Sequence, residues 1–351
     1  MDLAIRIREA ALECGFSACG LVKIDDLRGY ADAVMSRVAR FPESRPMYAK
    51  FIDFATPEQS VPWAKSVIIC AHWHGEYRIP QNLKGIIGKS YCIDPRKNPN
   101  SREFQGRELF VVRLENMGLR YAAKSDFGIT AVRWAAAKAG IGIIRKNNFL
   151  YLENGSWCHL EAFLIDRELE LKSVPAIRNC PEKCNLCMKA CPTGALKMPF
   201  QMNGVACVSF LTTFAACAPG KPYYNQCGTW VFGCDACQDA CPFNAKAWSE
   251  GEEFPGLKEL AEKISYEQIL SLDEPGLCCL LAEKFWYIKP DEIWKWKCNV
   301  LNAMNNNFEK RFLPHIERAM HDTRKEVGEM ARWVYESVCS PEHSEESPCE
   351  N

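Results

Sequence analysis

Eight cysteines between positions 180 and 241 constrain this chain more than any other feature. NCPEKCNLCMKACP gives Cys180-x3-Cys184-x2-Cys187-x3-Cys191-Pro192. After a separate Cys207, GCDACQDACP gives Cys234-x2-Cys237-x3-Cys241-Pro242. A C-x2-C-x3-C-P ending found twice is the ferredoxin spacing for two 4Fe-4S clusters. Short gaps let neighbouring thiolates reach different irons of one cubane, while the Cys before Pro points to the other cluster. This crossing rule predicts Cys180, Cys184, Cys187 and Cys241 on the first cluster. It puts Cys207, Cys234, Cys237 and Cys191 on the second. Cys180 departs from the usual x2 gap and is the weakest member. Paired C-x2-C also binds zinc, but the Cys-Pro ends and duplicated x3 gaps favour iron and sulfur.

The chain has 20 Cys in 351 residues. A disulfide framework belongs to small secreted domains, and this chain is long enough for a sizeable core. Its first residues, MDLAIRIREAALECGF, read as an amphipathic helix rather than a secretory signal, which points to a cytoplasmic protein. The twelve cysteines outside the motifs read as buried small hydrophobes or exposed thiols. Cys158, Cys217 and Cys227, which flank the motif region, are the candidates for more. Charge is balanced, 43 Lys+Arg against 44 Asp+Glu, which argues against a polycationic nucleic-acid binder. No apolar run approaches a membrane span.

Periodicity divides the chain into an α/β unit over 1–170, a loop-rich dicluster unit over 171–250, a helical segment over 251–338 and a polar tail over 339–351. In the first unit, residues 3–14 read as a helix, 16–24 as a strand, and 25–40 as a helix capped by Asp25 or Asp26. Residues 66–73 read as a buried strand and 77–104 as a long functional or mobile loop. A helix over 105–119, a strand at LRYAAK and a helix over 128–140 follow. Residues 147–166 read as a β-hairpin turning at Asn154-Gly155. From 257 onward at least two antiparallel helices are expected, joined near 305–309. Trp63, Trp73, Trp134 and Trp157 could line a planar cofactor, but core packing is the commoner use. His72 and His74 alternate on a strand and share a face.

The stretch SDFGITAVRWAAAKAGIGIIRKNNFLYLENGS, the order of the two cysteine motifs and CVSFLTT between them resemble the epoxyqueuosine reductase family, itself similar to the reductive dehalogenases. The resemblance covers about residues 16–333 and is sharpest from Asp126 to Asn244. It implies a nitroreductase-like α/β domain holding base-off cobalamin, a ferredoxin-like domain with two 4Fe-4S clusters, and a HEAT-like helical closure. Asn299, Asn305, Asp322, Val327 and Trp333 fall where that repeat's pattern expects them. Asp126 matches the family's proton donor, 14 residues before the Gly of Ala139-Gly140-Ile141-Gly142; taken alone, such an Asp is more often a helix N-cap. Lys146 and Asn147 match a Gly-Lys-Asn motif, and with Gly140 and Gly142 are the implied cofactor-binding positions. A solvated surface lysine is the alternative for Lys146.

This chain also departs from the family. The Asp-Tyr-His motif is replaced within SYCIDPRKNPNSREFQGREL. The helix Glu-Arg pair is Val132-Arg133, Ile143 stands for a Trp, and Arg145 stands for the Gly before the Lys. The resemblance implies an oxidoreductase fed by reduced ferredoxin or flavodoxin, with electrons reaching cobalamin for removal of oxygen or another leaving group. The substrate the resemblance implies is epoxyqueuosine in tRNA, and the departures leave open a divergent paralogue with another small substrate. The C-terminal helices give little support to gripping a tRNA, with nine basic and seven acidic residues from Lys289 to Trp333. Two other readings fit the cysteines: an electron-transfer or corrinoid-reactivating protein without its own small substrate, and a flavin enzyme.

Overall fold

The computed structural model describes residues 2–124, 126–215 and 218–340; Cys217, Cys349 and most of the polar tail lie outside them. The apolar run SVIICAHW forms strand β2 (Ser66–Trp73), nearly all of it buried. It pairs antiparallel with β1 (Ala18–Lys23) on one side and β4 (Cys158–Ile165) on the other. A two-residue β3 (Tyr121–Ala122) completes the order β1-β2-β4-β3. Because strand side chains alternate, Ile68 and Cys70 face one layer and Val67, Ile69 and Ala71 the other. The first layer holds α1 (Leu3–Glu13) and α3 (Arg102–Asn116), through Ile7, Phe110 and Leu114. The second holds α4 (Val132–Ala139), through Ala135, Ala136 and Ala139. The result is the expected mixed α/β layering.

Local expectations differ at three places. Helix α2 (Gly29–Arg40) is not capped by Asp25 or Asp26. A 3-10 turn over Ile24–Leu27 intervenes, and Asp26 accepts from the Lys23 N–H instead. Residues 147–166 are not a hairpin: Leu150–Tyr151 pairs with Ile143–Ile144, while β4 pairs with β2. The turn is real, since Leu152 bridges Gly155, but each arm finds a longer-range partner. The 77–104 segment is not a mobile loop. Ile79, Leu83, Ile87, Cys92 and Ile93 are buried in a core shared with residues 208–338. The C-terminal part follows the expectation: after 295 come α5 (Lys295–Asn306), α6 (Leu313–Ala319) and α7 (Lys325–Val338), the first junction following Asn306.

Amide hydrogen bonds dock α5 against the cysteine-rich segment. The Asn299 side chain donates to the Thr212 and Val231 carbonyls at 2.8 and 3.0 Å, and Asn302 donates to Tyr224 at 2.9 Å. Buried backbone carbonyls need such partners. Among the described residues no helix is long and apolar enough to cross a membrane.

Candidate electron-transfer and reaction site

The motif cysteines sit on short helical turns. Cys187 lies in Leu186–Lys189 and Cys237 in Ala236–Asp239, while Cys207 precedes Val208–Thr213. Burial, then the neighbouring thiols of Cys241, Cys180 and Cys184, raise the Cys187 thiol. Around Cys237 burial dominates, and the nearest thiols are Cys207, Cys234 and Cys191, with Cys187 following. Two groups of four thiols therefore lie side by side. Among the described residues no three His, Cys, Asp or Glu converge as the ligands of a single ion would. The thiolates of a cubane sit on separate irons and stand further apart.

The segment 145–147 holds both loops from below. Lys146 is buried, and its Nζ donates to the carbonyls of Pro181 (2.8 Å), Glu182 (2.6 Å) and Cys184 (2.9 Å). It is thus neither a surface lysine nor part of the cavity wall. Asn147 donates to Tyr151 Oη at 2.9 Å and to the Cys237 carbonyl at 3.1 Å. Arg145 is 2% exposed. Its Nη2 donates to the Arg178 carbonyl at 2.7 Å, and its Nη1 lies 3.8 Å from Cys180 Sγ. Gly140 and Gly142 sit where the backbone packs closely. Gly140 ends α4 at φ 73°, where a side chain would strike the Ser173 carbonyl, and a Cβ at Gly142 would lie 2.5 Å from the Tyr151 carbonyl.

A half-open cavity of about 350 Å3 lies between the sheet and the second thiol group. Cys234, Asp235 and Gln238 form one wall; Asp126, Phe127 and Gly128 form another; β4 from Cys158 to Ala162 supplies the floor. Asp126 is exposed at the mouth and is not an N-cap, since α4 begins at Val132. Its loop is held from behind. Arg96 Nη1 donates to the Asp126 carbonyl at 2.5 Å, and Arg96 also makes a buried ion pair with Asp94 at 2.7 Å. Burial works to raise the Asp94 carboxyl, but the Arg96 guanidinium outweighs it and holds the group at about 2.

Among the cavity groups, Glu161 and His159 gave no signal of their own in the sequence. Glu161 meets Arg107 at 3.0 Å, yet burial pushes its carboxyl up to about 7. His159 and His74 line the cavity, and His72 stacks on Phe16 behind it at 3.9 Å. Burial lowers His72 to about 4, His74 to about 3 and His159 well below the usual imidazole value, so all three are neutral. The cross-strand pairing of His72 with His159 could be found only from the register. Of the flanking cysteines, Cys158 lines the cavity and Cys227 is core. None of the four tryptophans lines it. Trp157 packs edge-on to Trp248 and Trp134 donates to the Asp26 carbonyl.

The profile of the 4Fe-4S double cluster binding domain matches residues 179–244, the span that contains the eight motif cysteines. A chain with this domain beside an acid-bearing cavity is an iron-sulfur oxidoreductase. Epoxyqueuosine reductase from Bacillus subtilis (strain 168) is 30% identical over 316 residues, covering 83% of this chain and 76% of the relative. A solved selenomethionine-labelled epoxyqueuosine reductase superposes with a TM-score of 0.77 at 25% identity, covering 97% of this chain and 92% of the other. Another, solved with a tRNA-Tyr epoxyqueuosine-modified stem loop, shares the fold at TM-score 0.76 and 24% identity, over 97% and 91% of the two chains. The chain belongs to the epoxyqueuosine reductase family and is an enzyme of that type.

Proposed function

We propose that this enzyme carries electrons through two 4Fe-4S clusters to a cobalamin in the cavity, and there reduces epoxyqueuosine in tRNA. The proposed ligands are Cys180, Cys184, Cys187 and Cys241 for the first cluster and Cys207, Cys234, Cys237 and Cys191 for the second. The thiol grouping around Cys187 and Cys237 supports these sets. In this reading residues 1–170 form a nitroreductase-like unit, 171–250 the ferredoxin-like unit and 251–338 a HEAT-like closure. Reduced ferredoxin or flavodoxin is the proposed donor. The tRNA substrate is inferred from kinship with the stem-loop complex. Lys295 and Lys297 are turned inward, so other cations would have to meet the phosphates.

The observation that carries this reading is that Cys234 and Asp126 line the same cavity. An electron-delivering ligand and an acid thus face one space. The donor set fits a base-off corrinoid in kind. Apolar groups from Phe127, Phe149 and Leu160 alternate with neutral imidazoles, and His74 Nδ1 is buried without a partner. Bound cobalamin would supply a low-potential centre for C–O cleavage. Opening an epoxide to an alkene and water takes two electrons and two protons. In this reading Asp126 gives one proton at the oxygen, and water at the cavity mouth gives the second. Arg96 holds the loop that aims it. Tyr287 and Phe127, stacked edge-on at 5.8 Å, wall off solvent on that side.

The test is anaerobic reconstitution with iron, sulfide and cobalamin, followed by EPR. A base-off Co(II) signal beside 4Fe-4S spectra, then reduction of an epoxyqueuosine stem loop that Asp126→Asn lowers by about 100-fold or more, is the expected result. Clusters without a cobalt signal would remove the corrinoid mechanism and favour an electron carrier or a flavin enzyme.

A further inference from the structure

The two thiol groups are not equivalent, and the difference sets a direction. Cys234 of the second group lines the cavity. No thiol of the first group is among the residues lining the cavity; Cys180 and Cys184 are partly exposed, as are the four thiols of the second group. Electrons that leave at the cavity must therefore arrive at the first group. The surface there is unusual. Leu186 is 45% exposed, Met198 39%, Phe200 45% and Phe243 40%, four of the large apolar side chains left in water. Phe200 and Phe243 are joined through the 145–146 hub. Phe243 lies under the Arg145 guanidinium at 3.4 Å, the Phe200 N–H donates to the Lys146 carbonyl, and Lys146 holds the 181–184 loop.

Charge completes the pattern. Residues 178–200 carry Arg178, Lys183, Lys189 and Lys197 against Glu182 alone, all five exposed. Among the described residues none of these four cations enters an ion pair. Apolar centres ringed by unpaired charge of one sign are built to meet a partner of the opposite sign. We propose that the face formed by Leu186, Met198, Phe200 and Phe243, with Arg178, Lys183, Lys189 and Lys197 around it, docks a small acidic one-electron carrier protein that reduces the first cluster. This rests on the two-cluster reading above. The step is simple in its balance: the carrier loses one electron and the oxidised first cluster gains it, with no proton or bond transferred.

The experiment uses the full chain with both clusters reconstituted and no cobalamin, so that substrate chemistry plays no part. A reduced acidic 2Fe-2S ferredoxin is mixed with it in an anaerobic stopped-flow instrument, and cluster bleaching is followed. Dithionite, too small to need a docking face, is the parallel reductant. Lys183→Glu/Lys189→Glu is expected to slow reduction by ferredoxin tenfold or more and to flatten its dependence on salt, leaving reduction by dithionite unchanged. Lys258→Glu/Lys263→Glu makes the same change in net charge elsewhere and should leave the ferredoxin rate near that of the parent. Equal rates for the parent and the first variant, or equal slowing in both variants, would overturn the docking face. Should the first variant lose iron, Arg178→Glu/Lys197→Glu, outside the C-x2-C loop, reads the same surface under the same criteria. A parent protein without 4Fe-4S spectra would instead sink the underlying cluster reading.

Discussion

Arg145 offers the sharpest quantitative test of how this chain tunes its electron path. The guanidinium is buried, and among the described residues no carboxylate pairs with it and its Nε has no hydrogen-bond partner. Its nearest acceptor besides the Arg178 carbonyl is Cys180 Sγ. A buried cation is costly unless something compensates it, and a cluster with its thiolates supplies that negative charge. Reduction adds one further electron, which the cation favours. With the charge roughly 7 Å from the cluster and an effective dielectric of about 20, the attraction is about 2 kcal/mol. For a one-electron couple that is roughly 100 mV. Arg145→Met removes the charge and keeps most of the bulk. The assay is an EPR-monitored redox titration of the reconstituted protein. The first cluster should move to a more negative potential by roughly 50–100 mV, while the second, screened by distance, stays within a third of that. No shift, or equal shifts in both clusters, would refute the electrostatic argument.

Three further outcomes follow from the same contacts. Asp94→Asn leaves the buried Arg96 guanidinium without its counter-ion. The interval from the ordinary 3.8 to about 2 corresponds to about 2–3 kcal/mol. A depressed carboxyl contributes its stability above pH 3.8 and loses it as pH falls to about 2, so the thermal midpoint should drop equally at pH 6 and pH 8. Glu161 behaves oppositely, because burial raises it from 4.5 to about 7. Its contribution is full below pH 4.5 and lost as pH rises to about 7, so Glu161→Gln should gain on the parent by up to about 3 kcal/mol between pH 5 and 7.5. An unchanging gap across that range, read by denaturant melts, would contradict the burial account. Lys146→Met strips one donor from three carbonyls under the first cysteine loop; iron analysis should show loss toward half of the parent's content, and full occupancy would show that the loop holds itself.

The spacing of eight cysteines was enough to read the dicluster segment, because a ligand set written into a short loop is local. The same holds for α1, β1, β2 and the left-handed Gly140 that stops α4, where periodicity or one special φ decides the structure. The 77–104 segment shows the limit. Its prolines and asparagines look like loop chemistry, and it is irregular, yet its apolar residues fill a core made by helices more than a hundred residues away. Local propensity carries no sign of such a partner. The hairpin at 154–155 failed for the same reason: the turn was legible, but β4 pairs with β2 across some ninety residues. At the site, Asp126 came from resemblance, whereas Arg96, His159 and Glu161 needed the fold. Each acquires its character from burial and from a neighbour distant in sequence: Tyr287 for Arg96, Arg107 for Glu161, and His72 opposite His159. Sequence alone marked which residues are the candidates to bind iron. Tertiary structure decided which thiols face the cavity and which face water, because desolvation and long-range proximity exist only once the chain has closed on itself.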